Sequence, residues 1–300
     1  MLARMQRFAL ILVLLSVTAW IWRLISASDL AAWQWLLLPV IALPHAPVLA
    51  LEFVLLGRYG RPAPAQRPTP VQLVCAWWRE VWTGVAVFGW RQPLAWAAMP
   101  DEVSGARAPG RRGVVLVHGF FCNRGLWNPW LHRLRQRGTA FVAVNLEPVL
   151  GSIDDYVPLI DAAVARVQQA TGLPPIVVAH SMGGLATRAW MQWANDDTRV
   201  HRVITIGTPH HGTWLGRFAL SANGRQMRIG SAWIESMAVL ETASRRALFT
   251  CFFGHCDNIV FPASTAMLAG ADNRHVPAVA HVAMAYAPVV YAELERWLDQ

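Results

Sequence analysis

The chain has 300 residues, with 26 Lys or Arg against 18 Asp or Glu, a net charge of +8, 55% hydrophobic residues and only 15% charged ones. That balance departs from an ordinary soluble protein and points toward lipid. The basic residues are all arginines, scattered and without clustered stacking aromatics, which argues against nucleic-acid binding; the four cysteines, Cys75, Cys122, Cys251 and Cys256, lack CxxC spacing and paired histidines, which argues against zinc.

Taken in order, the chain begins with Arg4 and Arg7, followed by an apolar run over Phe8–Trp22 that ends in Trp20, Trp22 and Arg23. This predicts an uncleaved transmembrane helix with an aromatic belt. The competing reading is a signal peptide, for which Ser26-Ala27-Ser28 is a weak cleavage site. A second apolar run, Leu30–Gly57, holds Pro39, Pro44, Pro47, His45 and Glu52; it reads as a second span or as a re-entrant or interfacial segment. Residues 1–60 are therefore expected to be a membrane anchor of one or two helices. Arg4 and Arg7 before it, and Arg58, Arg61 and Arg67 after it, outnumber Arg23 between the runs. The positive-inside rule then places both ends in the cytoplasm, with the protein at a bacterial-type plasma membrane; if the second run does not span, the rest of the chain lies on the opposite side.

Residues 61–112 are read as a Pro/Arg linker (Arg61–Pro70), a tryptophan-rich stretch (Val71–Met99) and a polar boundary (Pro100–Arg112). The tryptophans Trp77, Trp78, Trp82, Trp90 and Trp96 suit a lipid headgroup layer. A helix packed on the following domain is an equal alternative.

From 113 to 300, strand and helix signals alternate. Strands are predicted at Val114–Val117, Phe141–Asn145, Ile176–Ala179, Val203–Ile206 and Leu248–Phe252, and helices at Leu126–Gln136, Asp154–Ala170, Met182–Trp193 and Val289–Leu298. The pattern implies an α/β fold with a mostly parallel sheet and helices on both faces. Between the last two strands, Trp214–Leu248 reads either as a cap (214–248) or as ordinary crossover helices. Cys251 and Cys256 are near enough in sequence for a local disulfide, with isolated buried thiols as the competing reading.

The chemistry concentrates at strand ends. Ile176–Ala179 leads through His180-Ser181-Met182-Gly183-Gly184 into a helix, the strand–turn–helix context of a strained nucleophilic serine. Ser181 is the candidate nucleophile, and Ala179 and Gly183 are its small flanking residues. The Met182 N–H at the helix start and the Phe120 N–H after the strand Val114–Val117 are placed to hold an oxyanion. His118 is expected to tie its loop down, and Gly119 to let backbone approach closely. A serine needs a base and the base a carboxylate. His281 is preferred to His275 as the base. Asp257 is preferred to Asp272, which is expected in a solvated turn. Asp154, Asp155 and Asp161 are assigned to helix capping or lining, and His210 and His211 to packing.

These segments together, LVHGF (Leu116–Phe120), AHSMGG (Ala179–Gly184), GTPHHGT (Gly207–Thr213), HCDNIVFP (His255–Pro262) and AHVAM (Ala280–Met284), resemble the bacterial lipase and esterase branch of the α/β-hydrolases. The resemblance implies an α/β-hydrolase fold, a Ser–Asp–His triad in that chain order, no organic cofactor and ester substrates, often lipids. Ser181, Asp257 and His281 then fall at the catalytic positions, with Phe120 and Met182 at the oxyanion hole and His118, Gly119, His180 and Gly183 in support. The calcium site of some such lipases has no matching ligands here, so no metal is expected. The resulting expectation is a membrane-anchored lipase or carboxylesterase acting on lipid or other esters, with no obligate protein partner. An acyltransferase or thioesterase using the same residues, or a non-catalytic membrane scaffold, is the alternative.

Overall fold

The computed structural model describes residues 1–27, 31–60, 67–103 and 110–300. Ser28 of the cleavage site considered above, Leu30 of the second apolar run, residues 61–66 of the linker and residues 104–109 of the boundary lie outside the described residues.

Six parallel strands form one sheet: β1 (Val114–Val117), β2 (Phe141–Ala143), β3 (Ile176–His180), β4 (Arg202–Ile206), β5 (Phe249–Phe253) and β6 (Asp272–His275), in the spatial order β2-β1-β3-β4-β5-β6. The first five are short apolar runs buried on both faces, as a sheet covered by helices requires. Alternation along the strands divides the core in two. Val115, Val117, Val177, Ala179 and Val203 face one side, where Ile160, Val164, Leu185 and Trp190 cover them. Val114, Leu116, Ile176, Val178 and Ile204 face the other, against Trp127, Leu131, Leu134, Val290 and Leu294. β6 was not anticipated. Its sequence, Asp272-Asn273-Arg274-His275, is polar because an edge strand needs only backbone pairing to β5. Asp272, expected in a solvated turn, therefore opens a strand.

The helices of this layer run close to expectation. They are Asn128–Arg137, which stops at left-handed Gly138; Val157–Thr171, which stops at left-handed Gly172; Met182–Ala194; and Pro288–Leu298. The strand order reverses about β1, so β1 and β3 flank the switch point. The crevice outside their C-terminal ends is where open α/β sheets bind ligands.

The N-terminal helices, numbered here in chain order, begin with α1 (Leu2–Ser26), whose 25 residues span about 37 Å at 1.5 Å per residue. Among the described residues it is the one helix long and apolar enough by itself to cross a membrane; Trp33–Ala42 and His45–Tyr59 meet that composition together but bend by 84° at their break. We label the second of these α2 (His45–Tyr59). Next comes α3 (Pro70–Gly84), whose first turn is closed by Thr69 and Gln72 in a reciprocal capping box; it continues as a π-helical stretch over Val85–Arg91.

Both α2 and α3 dock on the sheet domain. Phe53, Leu56 and Ala76 bury against Cys256, Phe261 and Ala280. Trp77 donates to the Ala46 carbonyl, and His45 meets the Val81 carbonyl. The tryptophan-rich stretch is thus a helix packed on the sheet domain, as one of its two readings has it. Ala76, Glu80, Val81 and Val87 face the domain, while Trp78, Trp82 and Trp90 are exposed. The foot of α1 is held as well, by Gln6 on Gln92, Arg7 on the Pro93 carbonyl and the Met1 ammonium on Glu147. The rest of α1 exposes Leu14, Leu15, Ile21, Trp22 and Ile25.

Segment 214–248 has two characters. Trp214 stacks on Tyr59 and Phe261. Met227 and Met237 join the core against Leu185 and Trp190. Glu241 closes a buried ion pair with Arg188, which also holds the His210 carbonyl.

Candidate active site

The turn after β3 places Ser181 at φ 56°, ψ −130°, a combination a serine keeps only where its surroundings enforce it. Its N–H is fixed by the Ile206 carbonyl at 2.8 Å, and its carbonyl by the Gly184 N–H at 3.0 Å. Neighbours crowd this turn. A Cβ on Gly183 would sit 2.5 Å from the His118 carbonyl oxygen, and one on Gly119 would sit 2.6 Å from the Ser181 Cβ. Gly119 therefore keeps the serine turn clear of a side chain. Met182 opens its helix, so its N–H has no partner within that helix. Phe120 lies in the loop directly after β1.

His281 and Asp257 meet. His281 Nδ1 lies 2.9 Å from Asp257 Oδ2, both residues being almost fully buried. The other carboxylate oxygen of Asp257 accepts the N–H groups of Ile259 and Val260 at 2.9 and 2.8 Å. With an ionised acceptor, the proton of a neutral His281 belongs on Nδ1, which leaves Nε2 as an acceptor. Burial pushes the His281 pKa down, but the charge and hydrogen bond of Asp257 and the carboxylates of Glu80 and Glu52 outweigh it, and the net shift is upward.

The serine turn and the His–Asp pair share a floor. The Ile206 carbonyl takes the Ser181 N–H, and at the next residue, Gly207 (φ 56°), a Cβ would fall 2.9 Å from Asp257 Oδ2 and 3.0 Å from His281 Nδ1. The ring of His180, one residue before the serine, lies 4.7 Å from that of His281, and its Nε2 donates to the His281 carbonyl at 3.1 Å. Burial first, and then the proximity of His281, lower the His180 pKa to about 3, so the ring is neutral.

His118 donates from Nδ1 to the Gly119 carbonyl at 2.9 Å and accepts the Leu146 N–H on Nε2 at 3.0 Å. It pins the loop after β1 to the chain after β2. Burial lowers its pKa to about 4.

The rival residues lie elsewhere. His275 is on the edge strand, 2.8 Å from His255, and Asp272 is exposed and paired with Arg274. His210 is buried against Thr205, Cys251 and Phe249. Asp161 receives Trp190 and Arg199, and Asp154 receives Trp233. All four cysteines are free, so Cys251 and Cys256 do not pair.

Three polar residues at the site were not anticipated. Asn258 accepts the His281 N–H at 3.2 Å and donates to Glu52 at 2.6 Å. Glu80 accepts the N–H groups of Val282 and Ala283 at 2.7 and 2.9 Å. A signal was present: Glu52 and Glu80 are the only carboxylates in long apolar stretches, where an acid is costly and tends to have a task.

Comparison with known proteins bears on the fold. Curated protein sequences give no significant match. Among solved structures, the mature form of lipase BlEst2 from Bacillus licheniformis superposes with a TM-score of 0.56 at 19% identity, over 64% of this chain and 93% of that one. Aspergillus fumigatus lipase B gives a TM-score of 0.58 at 20% identity, over 69% of this chain and 57% of that one, so the match spans little more than half of the fungal protein. Identities this low show a shared fold alone. The family model described as "Alpha/beta hydrolase family" matches residues 114–299, the whole sheet domain and more than half of the chain. The chain belongs to the alpha/beta hydrolase family.

Proposed function

We propose that this chain is a membrane-anchored serine hydrolase that cleaves carboxylic esters, lipid esters among them. The observation that carries the reading is the buried 2.9 Å contact of His281 Nδ1 with Asp257, on the same floor as a serine held in a strained turn. In this reading Ser181 Oγ attacks the ester carbonyl carbon while His281 Nε2 takes its proton. Asp257 fixes the ring tautomer and stabilises the imidazolium. The Met182 and Phe120 N–H groups hold the oxyanion. Collapse of the tetrahedral intermediate breaks the bond to the alcohol, which leaves with the proton from His281. Water, activated by the same imidazole, then releases the acid from Ser181.

Residues 1–60 supply the anchor, 61–112 the linker and a tryptophan-lined docking segment, and 113–300 the hydrolase domain. The apolar, exposed flank of α1 supports insertion in a bilayer. The foot of α1, with Arg4 and Arg7, touches the docking segment through Gln92 and Pro93 and the hydrolase domain through the Met1 ammonium on Glu147. Domain and N-terminus then share one side, and the positive-inside rule makes it the cytoplasmic one. Exposed Trp78, Trp82 and Trp90 suit the headgroup layer from which a lipid ester would be drawn.

A fluorophosphonate probe tests this directly. It labels the wild-type protein in detergent and leaves Ser181→Ala unlabelled. Equal labelling of both refutes the reading.

A further inference from the structure

A short helical turn, His281–Met284, begins at the proposed base. The backbone N–H groups at the start of a helical turn have no partner inside it. Here three in a row are taken by side chains: His281 by Asn258, Val282 by Glu80 Oε1 and Ala283 by Glu80 Oε2. Asn258 is in turn held by Glu52. Glu52 comes from α2 and Glu80 from α3, so two N-terminal helices reach the backbone that carries the imidazole.

Glu80 is almost fully buried, and its carboxylate has both oxygens matched to N–H donors. A glutamate is unneeded for packing alone at such a position, where a buried charge costs several kcal/mol unless it is compensated.

We propose that Glu80 is a positioning residue for His281, clamping the turn behind the imidazole and adding negative charge beside the imidazolium, with Glu52 doing the same more weakly through Asn258. The N-terminal helices are then part of the catalytic unit as well as its anchor. This rests on the Ser181–His281–Asp257 reading above.

The titratable groups facing His281 are Asp257 from the loop after β5, Glu52 from α2, Glu80 from α3 and the neutral ring of His180 at the end of β3. Those facing Glu80 are His281, Asp257 and the buried phenol of Tyr286. Burial raises the Glu80 pKa to about 7 against the pull of its two N–H donors. A Gln at this position keeps the shape but loses the charge, and it turns one acceptor into a donor that faces an N–H.

The test is hydrolysis of p-nitrophenyl butyrate from pH 5 to 9 by the full chain in detergent, for wild type, Glu80→Gln, Glu52→Gln and Ser181→Ala. Removing negative charge disfavours the imidazolium and lowers the His281 pKa. Glu80, with its own pKa at about 7, titrates together with His281, so the acid limb of kcat/KM for Glu80→Gln moves to lower pH by about half a unit or less. Its kcat falls about tenfold with KM little changed, as expected for a misplaced base. Glu52→Gln moves the limb the same way by less, and it carries the test should Glu80→Gln fail to fold. An acid limb that stays in place overturns the proposal, even where the rate drops, because that is the mark of structural support alone. A Ser181→Ala protein with wild-type rates overturns the underlying reading instead.

Discussion

Two His–Asp sets, one in the connections after β5 and β6 and the other on β6 itself, differ in almost everything but composition. His281 and Asp257 are buried and face each other at 2.9 Å; Asn258 accepts the His281 N–H, Ile259 and Val260 donate to Asp257, and Glu80 holds the next two N–H groups of the turn. His275 and Asp272 share the edge strand β6, where Asp272 turns to Arg274 and His275 to His255. Burial with complete hydrogen bonding makes a carboxylate hold a ring in one tautomer. Exposure leaves it a surface ion pair, worth about 0–1 kcal/mol.

The comparison is broken most severely at its buried member. Asp257→Asn is expected to lower kcat for a short-chain p-nitrophenyl ester by about 10⁴, because Nδ1 then meets the wrong partner. Asp272→Asn is expected to leave kcat within about twofold and stability within about 0.5 kcal/mol. Comparable losses in both would erase the distinction.

A second test probes whether burial makes a charge indispensable elsewhere. Glu241→Ala strands Arg188, a fully buried guanidinium, and is expected to cost about 3–5 kcal/mol in a denaturant titration. Asp299→Ala, which removes the partner of Arg137 in an exposed pair, should cost no more than about 1 kcal/mol. A smaller probe is Gly207→Ala, which puts a methyl group against Asp257 Oδ2 and His281 Nδ1 at a left-handed position. It should reduce kcat about a hundredfold, on the scale of an ångström-sized misplacement, without altering KM.

The mildest test is pH. His118 and His180 are held neutral, with pKa values lowered from 6.5 to about 4 and about 3 by burial. The unfolded chain binds those protons first, so their contribution is whole above pH 6.5 and declines as pH falls through their folded values. Glu80, raised from 4.5 to about 7, has the opposite sign: its contribution is whole below pH 4.5 and is lost as pH rises through about 7. The histidines prevail, and the urea midpoint should fall between pH 7 and pH 5. A midpoint that rises would contradict the assignment of neutral rings.

Much of the sheet was readable because β1 to β5 are apolar runs buried on both faces, a pattern only a covered parallel sheet uses. β6 was not, since an edge strand that pairs through its backbone leaves its side chains free to be polar. Ser181 stood out through local sterics: a turn this tight needs small flanking residues, and Ala179 and Gly183 are visible in the sequence. Asn258 was in plain view beside Asp257 but showed nothing of its contact with the His281 N–H, made across 23 residues. Glu80 was further from reach, acting on Val282 over 202 residues. An acid within a tryptophan-rich helix signals a buried partner without saying which. The readings of Val71–Met99 as membrane-facing or domain-facing could not be separated either, because one helix buries one face on the domain and leaves tryptophans exposed on the other.

The central claim is that His281, with Asp257, is the base for Ser181. The most direct measurement is kcat/KM for p-nitrophenyl butyrate across pH for wild type, His281→Ala and His275→Ala. Wild type should show a single acid limb above the ordinary imidazole value of about 6.5. His281→Ala should fall by about 10³ or more, and His275→Ala should keep both rate and limb. A His281→Ala protein that retains the wild-type rate and limb would contradict the account.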